Sequence, residues 1–109
     1  MTIQLPGAIA RYIAAANKHD AKAVAACFSE QGTVHDEGQV YHGQAAIAAW
    51  NAKTNATYAV TTTVRRYVPT GPGGTVTAEV AGNFPGSPLA MVFDFTLGAN
   101  TIDALEITA

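Results

Sequence analysis

Residues Arg11–Asp36 read RYIAAANKHDAKAVAACFSEQGTVHD. The segment begins with a helical pattern. Ile9, just before it, and Tyr12, Ile13 and Ala16 repeat at i, i+3, i+4 and i+7, one face of a helix. Pro6 falls at or before the first turn, where its missing N–H does no harm. His19-Asp20 breaks the pattern. Asp20 is placed to N-cap a second helix over about Ala21–Phe28, with Val24, Cys27 and Phe28 on its buried face. Gly32 then opens a strand, Thr33–Asp36. The segment thus carries one phenol on its first helix, Tyr12, and one carboxylate at the end of its strand, Asp36. Aimed into one apolar pocket, these two are an acid and a base able to move a proton. Held apart, they are ordinary parts of a small globular domain.

Downstream, Gly38 marks a turn and Gln39–His42 reads as a short returning strand. A third helix is expected over about Gln44–Lys53, with Ile47 and Trp50 as its large apolar residues. Thr57–Val68 is rich in Thr, Val and Tyr, which suit a pleated surface. TGPGG (Thr70–Gly74) is a turn. Val76, Ala78, Val80, Gly82 and Phe84 then alternate with more polar neighbours. PGSP (Pro85–Pro88) is a second turn. Leu89, Met91, Phe93, Phe95 and Leu97 alternate with Ala90, Val92, Asp94 and Thr96. A third turn, Gly98–Asn100, leads into a last strand, Thr101–Thr108. Long strands joined by short turns make an antiparallel meander, and helices gathered ahead of strands give an α+β chain. A curved antiparallel sheet wrapped around three N-terminal helices leaves a cone-shaped cavity. Phe93, Phe95 and Leu97 suit its lining.

The 109 residues suit one domain, 1–109, with no internal repeat or linker. Only 13% are charged while 49% are apolar, which excludes a disordered chain. Alanine supplies 22 residues, so the helices can pack closely while large core side chains are few. A net charge of −2, and Arg65-Arg66 as the one adjacent basic pair, leave no basic patch for nucleic acid or an anionic membrane. Cys27 stands alone and reads as a small core residue. The opening MTIQLPG lacks the basic and apolar regions of a secretion signal, and no apolar run reaches the roughly 20 residues that span a bilayer. A cytoplasmic protein is the expectation.

RYIAAANKHD, AVAACF, GTVHDEG and HGQAAIAAW together resemble the nuclear transport factor 2-like superfamily, and within it the SnoaL-like and ketosteroid isomerase-like proteins. The resemblance covers most of the chain, the second half only as a strand meander. It implies a cystatin-like cone fold and a pocket for a small, largely apolar molecule bearing a carbonyl or hydroxyl. It also implies a homodimer, with Thr61, Thr63, Arg65 and Asp94 on the outer sheet face, and no cofactor or metal. Over Arg11–Asp36 the match to the steroid isomerases needs no gap. Tyr12 falls where those enzymes keep the tyrosine that donates to the oxyanion. Asp36 falls on their general base, and Trp50 on an aromatic wall. The chain departs at their second oxyanion donor, an aspartic acid on the strand Leu89–Leu97. The strand's phase puts Phe93 there and turns Asp94 to the other face, leaving the oxyanion hole one donor short.

Competing readings stay open for each residue. Asp36 is a pocket base with a pKa raised by burial, or a strand-end carboxylate accepting backbone hydrogen bonds at Glu37-Gly38. Tyr12 is an oxyanion donor or a core aromatic. Phe28, Trp50, Phe84, Met91, Phe93 and Phe95 line a ligand cavity or fill it. His35, Glu37 and His42 lie too close to one strand to converge on a metal, and read as surface residues. The chain is therefore a binder of a small apolar molecule that is also an isomerase- or cyclase-type enzyme with Asp36 as base and Tyr12 as donor, or a binder or assembly module without chemistry.

Overall fold

The computed structural model describes residues 3–109. Helix α1 spans Gly7–Asn17 and buries Ile9, Tyr12, Ala15 and Ala16, leaving Ile13 half-buried. Its far end is held by side chains. Asn17 clamps the backbone of Thr62, donating from Nδ2 to its carbonyl at 2.9 Å and accepting its N–H at 2.7 Å. His19 takes a left-handed backbone, φ 56°, and sets its ring 2.8 Å from the carbonyl of Val60. Asp20 caps α2 (Ala21–Ala26) through Oδ1, which accepts the N–H of Ala23 at 3.1 Å. That helix ends two residues before the expected Phe28, which instead begins β1 (Phe28–Asp36). Gly32 lies inside this longer strand, at an irregularity between Phe28 and Thr33. A Cβ on Gly32 would sit 2.9 Å from that of Phe28 and 3.0 Å from the carbonyl of Ser29, so only glycine fits the bend unstrained.

A two-residue turn joins β1 to β2 (Gln39–His42). Glu37 and Gly38 have φ values of 52° and 76°, the double positive of a type I′ hairpin. Helix α3 follows at Gln44–Tyr58, five residues longer than the expected end at Lys53. Its start is tied to β1: Gly43 donates to the carbonyl of Gly32 at 2.9 Å, and Gln44 Nε2 to that of Phe28 at 2.8 Å. Since α3 comes after two strands, the expectation of three helices ahead of the sheet is corrected. The strand preferences of Thr57 and Tyr58 place the start of a strand at Thr57, but the helix continues through both and the backbone turns only at Ala59, in the left-handed region at φ 50°.

The remaining strands are β3 (Thr61–Thr70), β4 (Gly73–Ala81), β5 (Leu89–Leu97) and β6 (Ile102–Thr108). They form the expected antiparallel meander, within a six-stranded sheet of order β2-β1-β6-β5-β4-β3. The sheet as a whole is mixed rather than antiparallel, because β6 runs parallel to β1. Strand β4 also stops short of Gly82 and Phe84, which lie in the loop to β5. Alternation divides the sheet into two faces. Val76, Ala78, Val80, Phe93 and Phe95 are buried on the helix side. Asp94 is exposed on the other, accepting the hydroxyl hydrogen of Thr75 at 2.6 Å, and Arg65 pairs there with Glu79, four residues further along β4. The core joins Ile9, Val24, Phe28, Val34, Ile47, Ile102 and Leu105, all at most 1% exposed. Each such side chain contributes roughly 1.5–3 kcal/mol by leaving water. No described helix is long and apolar enough to cross a membrane.

Candidate functional site

Helices and sheet diverge toward the Asp36 end and leave a cavity of about 320 Å³. That is at the small end of the range in which ligand pockets fall. Its base is Tyr12. The ring stands edge-on to Phe95 at 5.5 Å and to Phe28 at 6.1 Å, so two aromatics fix its direction. Tyr12 is 3% exposed, and what remains accessible faces the cavity. Burial first, and then the charge of Asp36, push its phenol well above the usual tyrosine range. The hydroxyl therefore keeps its proton and remains a donor.

Asp36 closes one side. It shares a face of β1 with buried Val34, while His35 between them is exposed. The I′ turn at Glu37-Gly38 and the pairing of Asp36 with Ile107 fix where the carboxylate points. Trp50 on α3 donates from Nε1 to Asp36 Oδ2 at 3.0 Å. Burial raises the carboxyl pKa above the usual aspartate range, and the Trp50 hydrogen bond partly offsets this. The result is a half-buried carboxylate with one oxygen held and a raised affinity for a proton. Trp50 is fixed in turn by Tyr41, whose ring lies 6.0 Å away.

Of the other expected lining residues, Trp50, Phe84, Met91 and Phe93 are on the cavity wall. Phe28 and Phe95 are not, which corrects their assignment. They lie beneath it, 1% and 3% exposed, and buttress Tyr12. Phe84 reaches the wall from its loop, edge-on to Tyr58 at 6.0 Å. Phe93 is inward and Asp94 outward, so the sheet wall offers hydrocarbon where a second acid would stand.

Several wall residues went unread in the sequence. Asn51, Thr54 and Tyr58 line the cavity from α3, with Thr62 from β3. Their signal is the spacing i, i+3, i+7, which becomes visible once the helix is extended to Tyr58. A second hollow of about 500 Å³ lies between α3 and the β1–β2 hairpin, and shares Asp36, Glu37, Trp50, Thr54 and Tyr58 with the first. Among the described residues no three of His, Cys, Asp and Glu gather as a metal's ligands would. His42 meets Gln31 at 3.2 Å instead. Cys27 Sγ–H donates to the carbonyl of Ala23 at 3.3 Å. The groups that line the hollow are the carboxylates of Asp36 and Glu37, the phenols of Tyr12 and Tyr58, and the neutral hydrogen-bonding groups of Asn51, Thr54 and Thr62.

Residues 9–101 match the family model described as SnoaL-like domain. Among solved structures, a Sinorhizobium meliloti protein provisionally assigned as a polyketide cyclase superposes with a TM-score of 0.92 at 30% identity, over 95% of each chain. A Catenulispora acidiphila protein of ketosteroid isomerase-like fold, solved with trimethylamine, gives 0.87 at 22% identity, over 97% of this chain and 87% of that one. A nuclear transport factor 2-like protein of unknown function from Cytophaga hutchinsonii gives 0.73 at 17%, over 99% and 93%. No curated protein matches the chain in sequence.

Proposed function

Because the chain belongs to the SnoaL-like family, we propose that it binds a small, largely apolar ketone in the cavity and moves a proton at the carbon beside the carbonyl. The observation that carries this reading is the placement of Tyr12 and Asp36 on the wall of one hollow. Asp36 takes the proton from that carbon, the C–H electron pair moves into the C–C bond, and the carbonyl π pair goes to oxygen. The Tyr12 hydroxyl donates to that oxygen as it gains charge. In a β,γ-unsaturated ketone the enolate extends over the C=C bond, and return of the proton from Asp36 to the γ-carbon completes an isomerisation. Attack by the enolate carbon on a second carbonyl of the same molecule forms a ring C–C bond, the π pair of that carbonyl goes to its oxygen, and the alkoxide takes back the proton from Asp36. The 30% identity to the Sinorhizobium meliloti protein favours the latter class.

The competing reading is a binder without chemistry. It draws on Phe93, which gives the oxyanion no second acid. The discriminating measurement is deuterium uptake at the α-carbon of 1-tetralone in D2O, followed by NMR. A base at Asp36 exchanges this position faster than equimolar acetate. Asp36→Asn then loses about 10²–10⁴-fold while 1-tetralone still binds. Trp50→Phe removes the donor that restrains the Asp36 pKa, so the pH midpoint of exchange moves upward. Binding with no exchange above acetate, or exchange unaltered in Asp36→Asn, overturns the enzymatic reading.

A further inference from the structure

Helix α3 puts a hydrogen-bonding wall opposite a hydrocarbon one. Val80, Met91 and Phe93 face the cavity from the sheet, Asn51 and Thr54 from the helix. Asn51 is 5% exposed, one of only two polar residues buried to that degree among those described. A buried carboxamide is costly to leave unpaired, so its partners matter. Asn51 Oδ1 accepts from Asn55 Nδ2, one turn later, at 3.0 Å. Among the described residues its Nδ2 has no protein acceptor. Yet Nδ2 is not sealed in: the enclosed side-chain polar atom without a partner is Asn55 Oδ1. The small accessible area of Asn51 lies on the inner cavity and not on the outer groove.

The orientation of the pair follows from the same accounting. If both carboxamides were turned over, the bond between them would run the other way, and the enclosed position would hold the Asn55 NH₂. Two buried donors would then lack partners instead of one carbonyl oxygen. The arrangement with Asn51 NH₂ toward the cavity is the less costly. Asn55 thereby acts as a fixed donor that keeps Asn51 from turning.

We propose that Asn51 selects ligands carrying a second oxygen, accepting a hydrogen bond from Asn51 Nδ2 on the helix side of the cavity, in addition to the carbonyl at Tyr12 and Asp36. The ligand class is then a dioxygenated compound with one hydrocarbon face for Val80, Met91 and Phe93. This rests on the proposed ketone binding. Asn51 is a specificity residue in this scheme and transfers no proton.

The test measures Kd by titration calorimetry for 1-tetralone and for its 5-, 6- and 7-hydroxy derivatives. At least one hydroxytetralone is expected to bind about 5–10-fold more tightly than 1-tetralone, the worth of one neutral hydrogen bond of about 1 kcal/mol. Asn51→Leu is expected to bring that ratio to about one, because the second oxygen loses its donor. Asn51→Ala, which needs no extra room, is measured alongside in case the leucine variant does not fold, and gives the same loss of ratio. A wild-type ratio near one, or a ratio unchanged in the folded Asn51 variants, overturns the selection by Asn51 and leaves ketone binding standing. Failure of every tetralone to bind overturns both.

Discussion

Asp36 is a half-buried carboxyl whose burial costs the fold stability once it ionises. Its carboxyl pKa is raised by burial, so the folded chain holds that proton more tightly than the unfolded chain does. The linkage sign follows. The contribution of a group with a raised folded pKa is fully present below its unfolded value, about pH 4, and is lost as pH climbs through the folded value. At neutral pH the ionised carboxylate therefore destabilises the fold. Asn at position 36 keeps an oxygen for Trp50 Nε1 and carries no charge. Asp36→Asn should raise the melting temperature at pH 7, and the advantage should vanish in scans below pH 4. A gain of a few degrees is expected, under the roughly 4–8 °C that a full kcal/mol gives in a domain of this size. The carboxylate opens onto the cavity and is only half withdrawn from solvent. An advantage that persists unchanged at pH 3 would mean that packing, not ionisation, is responsible. Tyr12 has the opposite character. Its raised pKa keeps it neutral at any working pH, so it adds no pH dependence of its own.

Elements set where these groups meet, and here β1 is the demanding one. The bend at Gly32 allows Phe28 to enter the core beneath Tyr12 while Asp36, eight residues on, reaches the cavity mouth. Gly32→Ala forces its new methyl against the Phe28 Cβ and the Ser29 carbonyl. A cost of roughly 1–3 kcal/mol, the usual scale of overpacking, is expected in the urea unfolding midpoint. No change in that midpoint would show that the bend relaxes freely. The sequence makes such local features legible to different depths. The face of α1, the Asp20 cap, the β1–β2 turn and the strand meander are all short-range patterns, and all are present. The inward phase of Phe93 could likewise be read from alternation. The end of α3 could not. Thr54, Thr57 and Tyr58 have strand preferences, and the helix overrides them: Ile47, Trp50, Asn51 and Tyr58 share its one inward face. The helical wall of the cavity was missed for that reason. Phe28 and Phe95 were misjudged for another: composition identifies aromatics near a pocket, but only tertiary packing decides which face it and which support it.

Across the whole molecule, the parallel seam between β1 and β6 escaped the sequence, because no local signal pairs residues so far apart. Leu105 sits in that seam at 0% exposure, opposite Val34 on one side and Phe95 on the other. Leu105→Ala should cost about 2–5 kcal/mol in denaturant titration, with the slope unchanged. A loss below 1 kcal/mol would mean that the two halves of the sheet hold together without that contact. The seam also has a consequence for how the chain is made. Strand β6 leaves the ribosome after β1 to β5, yet it lies between the hairpin bearing Asp36 and the three strands bearing the hydrocarbon wall. A nascent chain released only through Asn100 owns every wall residue of the hollow except Ile107, but not the bridge that sets them facing one another. The hollow therefore cannot close before β6 has been made, and until then the two unjoined sheet edges are free to pair with the wrong partner.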